Sequence, residues 1–234
     1  MTFDPRVFWG ALFSAPFALG ALTSLALALA AHAVGIALGL ALAVLAEGAA
    51  WRRWLVGIYT WLFRGAPTLL QLLFVWNALP QLIPALRSTW FSPFLAALLA
   101  LSLNEAAYQA EISRAALLAV DEGQIQAAQA LGLRAAPIFF LIRLPQAIRI
   151  GLPPTVNEFI TLLKTTSLAS VISLQELLAV TSREISSTFH FTELYAGALG
   201  YYLAIVSVLM LGQSWVERRM RTGQVRGSHA RRAA

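Results

Sequence analysis

Long apolar stretches separated by short polar segments dominate this chain of 234 residues. The longest is an Ala/Leu run at 15–46, and four others follow at about 55–79, 93–118, 152–180 and 194–216. A helix needs roughly 20 apolar residues to cross the hydrocarbon core of a bilayer, and each stretch reaches that length. The pattern predicts an all-α membrane protein with about five transmembrane helices in a single domain, 1–234, with its core at about 15–217.

The first stretch is predicted to be a retained span. A signal peptide has an apolar core of roughly 7–15 residues behind a basic start, whereas the run at 15–46 is about double that length and follows no basic cluster. Residues 1–14 mix aromatic and charged side chains and are predicted to form an amphipathic lead-in at the membrane interface. Gly35 and Gly39 allow a neighbouring helix to approach closely. His32 is interpreted as a hydrogen-bonded packing residue.

Three residues interrupt the second stretch, namely Arg64, Gly65 and Pro67. Proline lacks a backbone N–H and clashes with the preceding turn, so a kink is predicted here. A long basic side chain lays its methylenes along apolar surface and extends its charge towards the interface. Arg64 is therefore interpreted as reaching for the near interface rather than contacting substrate.

The segment 121–170 begins with a half that is too polar to be a span. It carries Asp121, Glu122, Arg134, Arg143 and Arg149, and one Asp or Arg at a helix centre costs roughly 2.5–3.5 kcal/mol on insertion. Residues 124–131 are rich in Ala, Gln and Leu and predict a short helix. Gly132 is the expected helix stop, and the prolines at 145, 153 and 154 are expected to break the chain before the next helix.

Charge is distributed unequally across the predicted membrane. The chain has a formal net charge of +6, and positively charged residues favour the cytoplasmic side. Twelve of the 17 basic residues share one side: Arg52, Arg53, Arg114, Arg134, Arg143, Arg149, Arg218, Arg219, Arg221, Arg226, Arg231 and Arg232. Three lie on the other: Arg6, Arg87 and Arg183. The bias predicts an external N-terminus, a cytoplasmic loop and a basic cytoplasmic tail at 218–234 that contacts anionic lipids. It also accounts for the net positive charge of the chain, so no nucleic-acid partner is expected.

The cytoplasmic loop resembles the EAA loop of the inner-membrane permease subunits of ABC importers. The resemblance is carried by Gln126-Ala127-Ala128, then Gly132, then Ile142-Arg143-Leu144-Pro145 at the family's spacing. The flanking segments are similar to the polar amino-acid uptake branch: FRGAPTLLQLL at 63–73, AAYQAEISRAAL at 106–117, LPQAIRIGLPP at 144–154 and NEFITLLKTTSLASVIS at 157–173. The chain departs from the family at Gln126, where Glu is usual, and at Asp121, where Pro is common.

The resemblance implies a type I ABC importer permease in a bacterial inner membrane. It implies a cytoplasmic ATP-binding subunit that holds ATP and Mg, a second permease copy, identical or paralogous, and an extracytoplasmic solute-binding protein. The residues implied to couple to the ATPase lie on the short helix and its exit: Gly123, Gln124, Gln126, Ala127, Ala128, Leu131 and Gly132. The alternative for this helix is an ordinary amphipathic surface helix.

No enzyme motif is found in the sequence, which has no cysteine and only scattered histidines at 32, 190 and 229. No metal site and no cofactor of its own are expected. Two other classes stay open: a self-sufficient secondary transporter, which would usually show paired repeats with broken helices, and a membrane scaffold or sensor without transport. No convincing internal repeat is found in the five predicted spans.

Polar residues inside the third and fourth spans are the candidates for a substrate path, because ionisable groups at membrane depth usually face a cavity or a partner. They fall on helical stripes that offer a polar amino acid both an anionic and a cationic contact: Asn104, Glu105, Tyr108, Asn157, Glu158, Thr161, Lys164, Thr165 and Ser167. Alternatively, Asn157 and Thr161 join helices together, and Lys164 pairs with Glu158 or Glu105. Glu111 and Arg114 predict a local ion pair.

Overall fold

A computed structural model describes residues 3–230, with side chains described for 3–215 and for Arg218. Eleven α-helices lie in this range: α1 Pro5–Leu12, α2 Ala15–Ala46, α3 Ala50–Gly65, α4 Thr68–Leu73, α5 Leu79–Leu82, α6 Pro93–Leu118, α7 Glu122–Ala130, α8 Ala135–Ile138, α9 Leu144–Thr165, α10 Leu177–Thr188 and α11 Phe191–Ala230. π-Helical turns cover Phe74–Ala78 and Phe139–Arg143, and 3₁₀ turns cover Pro84–Arg87 and Thr166–Ile172. Residues 3–230 contain no strand, which confirms the all-α prediction.

Helices α2 and α6 form the central pair of the fold. Ser14 caps α2 by accepting a hydrogen bond from the Phe17 N–H at 3.4 Å, and a proline follows in the first turn. A Cβ atom added to Gly35 would lie 2.3 Å from Glu105 Cγ, and one added to Gly39 would lie 2.5 Å from Gln109 Cβ. The close helix approach predicted at these two glycines is confirmed, and it presses α2 directly onto the polar part of α6.

The second predicted span is a broken helix. Helix α3 ends at Gly65, and Ala66 and Pro67 are extended before α4 begins, as expected because a residue before proline avoids the helical region. The Gln71 side chain donates to the carbonyls of Phe63 at 2.8 Å and Ala66 at 2.9 Å. The carbonyls released by the break are therefore bonded inside the protein. The predicted kink is confirmed as a complete interruption.

The expectation that Pro145, Pro153 and Pro154 break the chain before the fourth span is wrong. Pro145 directly follows the π turn at the start of α9, and the other two lie inside the same helix. Transmembrane helices tolerate internal prolines when neighbours and local π adjustments accommodate the freed carbonyls. The helical stretch starts at Ala135, contains the π turn, and ends at Ile172 rather than at 180. Ser173 then adopts a positive φ of 65°.

Three helical stretches among the described residues are long and apolar enough to cross a membrane: Ala15–Ala46, Ala135–Ile172 and Phe191–Trp215. The other two predicted spans are the broken helix and α6, which is continuous but carries Asn104, Glu105 and Gln109. Helix α11 continues past the expected span end at 216 to Ala230, so the basic tail begins as helix. Residues 1–2 and 231–234 lie outside the part of the chain that the structure describes.

The N-terminal lead-in is helix α1, which packs against α11. The Tyr201 hydroxyl donates to the Leu12 carbonyl at 2.8 Å, and the Asp4 N–H donates to Glu193 at 2.8 Å. Trp9 and Phe13 remain exposed and stack on each other. This exposed aromatic surface matches the amphipathic lead-in predicted for a membrane interface.

Candidate coupling surface and translocation path

The short helix predicted at 124–131 is α7. The Asp121 side chain caps it by accepting a hydrogen bond from the Gly123 N–H at 2.8 Å. Gly132 ends it with a φ of +78°, a conformation that costs little only without a side chain. The Leu133 N–H then donates to the Ala128 carbonyl at 3.1 Å, which closes the helix end. The predicted helix and its stop are confirmed, with the start two residues earlier than expected.

Most of the residues proposed to couple to an ATPase lie on the outside of the molecule. Ala128 is buried, whereas Gly123, Gln124, Gln126 and Ala127 are exposed. Leu131 and Gly132 are exposed too, and Leu131 has 83% of its surface open. An apolar side chain this exposed beside small residues forms a surface that a second protein can cover.

Three hydrogen bonds tie α7 and the segment after it to the rest of the protein. Gln146 on α9 donates to the Gln124 side chain at 2.7 Å. Arg143, at the end of the π turn, donates to Glu47 at 2.8 Å and to the Leu117 carbonyl at 3.3 Å. The two Arg143 bonds link the loop to the C-terminal ends of α2 and α6. The role of Glu47 was not predicted, because the two partners are 96 positions apart in sequence.

Glu105 lies inside the helix packing rather than on an open cavity. Its side chain is 1% exposed and contacts His32 Nδ1 at 2.8 Å and Gln109 Nε2 at 2.8 Å. The chain of contacts continues through the Thr155 hydroxyl, which donates to Gln109 at 3.1 Å. Lys164 is exposed and is not brought to Glu105. The interpretation of His32 as a hydrogen-bonded packing residue agrees with this geometry.

Asn104 and Tyr108 on α6 face the broken helix. Asn104 donates to the Phe63 carbonyl at 2.9 Å and to the Gln71 side chain at 3.2 Å. The Arg64 guanidinium lies 5.3 Å from the centre of the Tyr108 ring, within the range of a cation–π contact. Asn104 thus holds the ends of the break together, while Tyr108 supports a cation. No pattern in the sequence joins Gln71 to this cluster.

The polar stripe on α9 is open. Asn157, Thr161 and Lys164 are exposed along one face. The Thr161 hydroxyl donates to the Asn157 carbonyl, and the hydroxyls of Thr165 and Ser167 likewise bond back to their own helical segment. These hydroxyl contacts join no neighbouring helix. The two predicted stripes therefore differ: that of α6 is largely packed inside, and that of α9 faces outward.

Glu158 lies on α9 beside the open stripe and is half-buried. Among the described residues it forms no ion pair within contact distance. The two carboxylates therefore differ: that of Glu105 contacts His32, whereas that of Glu158 has no basic side chain within ion-pair distance among the described residues.

Two further clusters contain charged residues outside the two polar stripes. Glu111 and Arg114 form the predicted local ion pair at 2.7 Å, which is confirmed. Glu176 is fully buried and accepts hydrogen bonds from Ser24 at 3.2 Å, Tyr202 at 3.3 Å and the Ala179 N–H at 2.7 Å. It joins α2, α10 and α11. Sequence reasoning placed Glu176 in a span end and assigned it no role.

A family model places this architecture in a defined class of transport proteins. The model for the inner membrane component of binding-protein-dependent transport systems matches residues 35–222. The chain belongs to this family. It is a permease subunit of the ABC transport type, which supports the predicted class over a self-sufficient secondary transporter or a scaffold.

The relatives within this family are amino-acid permeases. The chain is 39% identical to the arginine transport system permease protein ArgU of Corynebacterium glutamicum, over 95% of this chain and 74% of that protein. It is 38% identical to the octopine transport system permease protein OccM of Rhizobium meliloti, over 94% and 93% of the two chains. The resemblance to the amino-acid uptake branch is thereby confirmed.

Solved structures give the same fold. A crystal structure of an amino acid ABC transporter with histidines superposes with a TM-score of 0.81 at 32% identity, covering 94% of this chain and all of that one. The inward-facing MetNI methionine ABC transporter superposes with a TM-score of 0.73 at 18% identity, covering 93% of this chain and 99% of that one, a likeness of fold alone. The predicted type I importer fold is confirmed.

Proposed function

We propose that this chain forms the translocation path of an ATP-driven importer for a polar amino acid and transmits ATP hydrolysis to that path through α7. The observation that carries the proposal is the geometry of α7, a short capped helix whose exposed surface ends at Leu131 and Gly132. A cytoplasmic ATPase holding ATP and Mg is the partner that such a surface fits, because this chain carries no nucleotide motif of its own.

The α9 stripe supports a second permease copy. Asn157, Thr161 and Lys164 would face lipid if the chain were alone, and polar and charged residues at membrane depth are stable only against protein or a water-filled cavity. A second copy across this face would enclose a path between the two subunits. In the proposed topology of five spans, the N-terminus is external and α7 is cytoplasmic, so a solute-binding protein delivers substrate from outside.

The substrate proposed for this path is a polar amino acid. The named substrates of the relatives are arginine, octopine and, in a Bacillus subtilis permease 38% identical to this chain, L-cystine. All of them carry both amino and carboxylate groups. Glu158 and Lys164 offer matching charges on α9, with Asn157 and Thr161 on the same helix and Tyr108 on α6. Asn104 and Glu105 support the path by holding its helices, and Thr165 and Ser167 lie at its outer end.

Replacing Gly132 tests whether α7 couples to the ATPase. No atom lies within 4 Å of a Cβ added at Gly132, so Gly132→Val acts only through its positive φ. We expect the variant to insert normally but to lose ATPase co-purification and amino-acid uptake together. Gly57→Val is the matched control, because Gly57 also has no atom within 4 Å but lies in regular helix. Normal co-purification and uptake by the Gly132 variant would show that α7 is not the coupling element.

A further inference from the structure

A cavity of about 520 Å³ opens between α2, α3 and α6, at the end of the bundle where α2 stops and α3 starts. Its volume lies within the range of ligand pockets, roughly 300–1,000 Å³. Ala43 and Ala46 form a wall of small side chains on the α2 side. The charged residues of the lining come from all three helices: Glu47, Arg53, Glu111 and Arg114. We call this space the α2–α3 cavity.

The α2–α3 cavity lies at the depth of the membrane interface. Trp51 and Trp54 flank Arg53 in the first turns of α3, and they are 59% and 67% exposed. Tryptophan is enriched where the hydrocarbon core meets the lipid headgroups. The stretch Ala15–Ala46, which is long and apolar enough to span the membrane, ends at the same cavity. A ligand in the cavity would therefore lie at the level of the phospholipid phosphates.

The charges that line the cavity leave one cation in surplus. Glu111 accepts a hydrogen bond from Arg114 at 2.7 Å, and Glu47 accepts one from Arg143 at 2.8 Å. Arg53 forms no ion pair among the residues whose side chains the structure describes. Both carboxylates of the lining are thus neutralised, and the uncompensated positive charge is that of Arg53. Its planar guanidinium presents N–H donors in a fork that matches a phosphate group.

We propose that the α2–α3 cavity binds the headgroup of an anionic phospholipid, with the phosphate on Arg53. A phosphate diester carries one negative charge, which matches the single surplus cation. A headgroup that also carries an amine brings its own cation and would leave Arg53 uncompensated. Leu55, Ile58 and Leu62 are exposed along α3 and offer apolar surface to the acyl chains. The site is separate from α7 and from the polar stripe of α9, so the inference does not depend on the proposed import.

Native mass spectrometry of the full chain tests this assignment. The protein is purified from membranes with the subunits that accompany it and is exchanged into detergent that contains equal amounts of phosphatidylglycerol and phosphatidylethanolamine. We expect wild type to retain phosphatidylglycerol in preference. Arg53→Gln should lower that preference about fivefold, the effect of one basic residue near a charged membrane surface. Arg53→Lys should keep most of the preference, because the positive charge remains.

Arg52→Gln is the matched control for the loss of a positive charge. Arg52 is the neighbouring exposed arginine, lies over the Trp51 ring at 5.4 Å and is not part of the cavity lining, so its replacement should leave the preference unchanged. Glycerol 3-phosphate distinguishes a lipid site from a site for free phosphate esters, and it should not displace phosphatidylglycerol because it has no acyl chains. An Arg53→Gln variant with the wild-type preference, an equal loss in Arg52→Gln, or displacement by glycerol 3-phosphate would overturn the assignment.

Discussion

The role that the sequence suggests for Glu105 differs from the contacts that the structure shows for it. From sequence it is a carboxylate near the middle of a span, the natural candidate for the amino group of a substrate. In the structure Gly35 packs directly over it, and His32 and Gln109 occupy the same carboxylate oxygen. Sequence places Glu105 on the third predicted helix but cannot reveal these contacts, because His32 lies 73 positions earlier on another helix.

Substituting Glu105 separates its structural role from a substrate role. Glu105→Ala removes the acceptor for His32 and Gln109, and leaving such buried groups unsatisfied costs roughly 1–3 kcal/mol each. We expect lower membrane abundance and a lower melting temperature of the purified complex. Glu105→Gln keeps an acceptor of the same size and should retain assembly and amino-acid preference.

Two outcomes would contradict this interpretation of Glu105. One is normal assembly of Glu105→Gln with a changed amino-acid preference, which would return Glu105 to the substrate path. The other is recovery of assembly when Lys164→Met is added to Glu105→Ala, which would reveal a Glu105–Lys164 pairing that the structure does not contain. Lys164→Met alone serves as the control, because Lys164 is exposed and its removal should leave the melting temperature unchanged.

At the scale of elements, the C-terminal ends of α2, α6 and the π turn meet at one ion pair. Glu47 caps the C-terminus of α2, where the helix dipole disfavours a negative charge. Arg143 compensates by bonding Glu47 and the Leu117 carbonyl together. The side chains of the pair are only 19% and 33% exposed, so solvent screens it less than a surface pair.

Reversing these two charges tests whether the pair anchors the coupling segment. Glu47→Arg and Arg143→Glu each place like charges together, and we expect each to reduce uptake and ATPase co-purification severalfold. The double exchange, Glu47→Arg with Arg143→Glu, should recover a large part of both activities. Glu111→Arg is the control, since it reverses a charge in a more exposed local pair. Single variants that match wild type would show that the loop is held by other contacts.

Elements with local signals were predictable, and those governed by distant partners were not. Helix α7 followed from its composition and from Gly132, because the cap and the stop are properties of neighbouring residues. The break after α3 followed from Pro67. The expectation that the prolines of α9 would break the chain was wrong, because a helix accepts proline where a π turn and packing accommodate it. The Gln71–Asn104 cluster was missed because it joins residues 33 positions apart.

At the scale of the whole molecule, the distribution of arginines predicts which side of the membrane each end occupies. The chain has no cysteine, so one introduced thiol can be labelled without background. A cysteine at Ser187, which is exposed near the end of α10, should react with an impermeant reagent in intact cells. A cysteine at Ser228 in the tail should react only after the cytoplasmic membrane is opened. The reversed pattern would overturn the five-span topology and its charge argument.

The connection of α2, α6 and α9 through His32, Glu105, Gln109 and Thr155 makes these three helices one rigid body. Separating these helices would leave buried polar groups without hydrogen-bond partners, so the path is not expected to open between them. Motion is instead expected in the seven-residue 3₁₀ turn Thr166–Ile172 that follows α9, because it is longer than such turns usually are and its hydrogen bonds have poorer geometry. Lys164 precedes this turn by two positions and belongs to the rigid body. Its charge would therefore keep a fixed position while the segment after it moves.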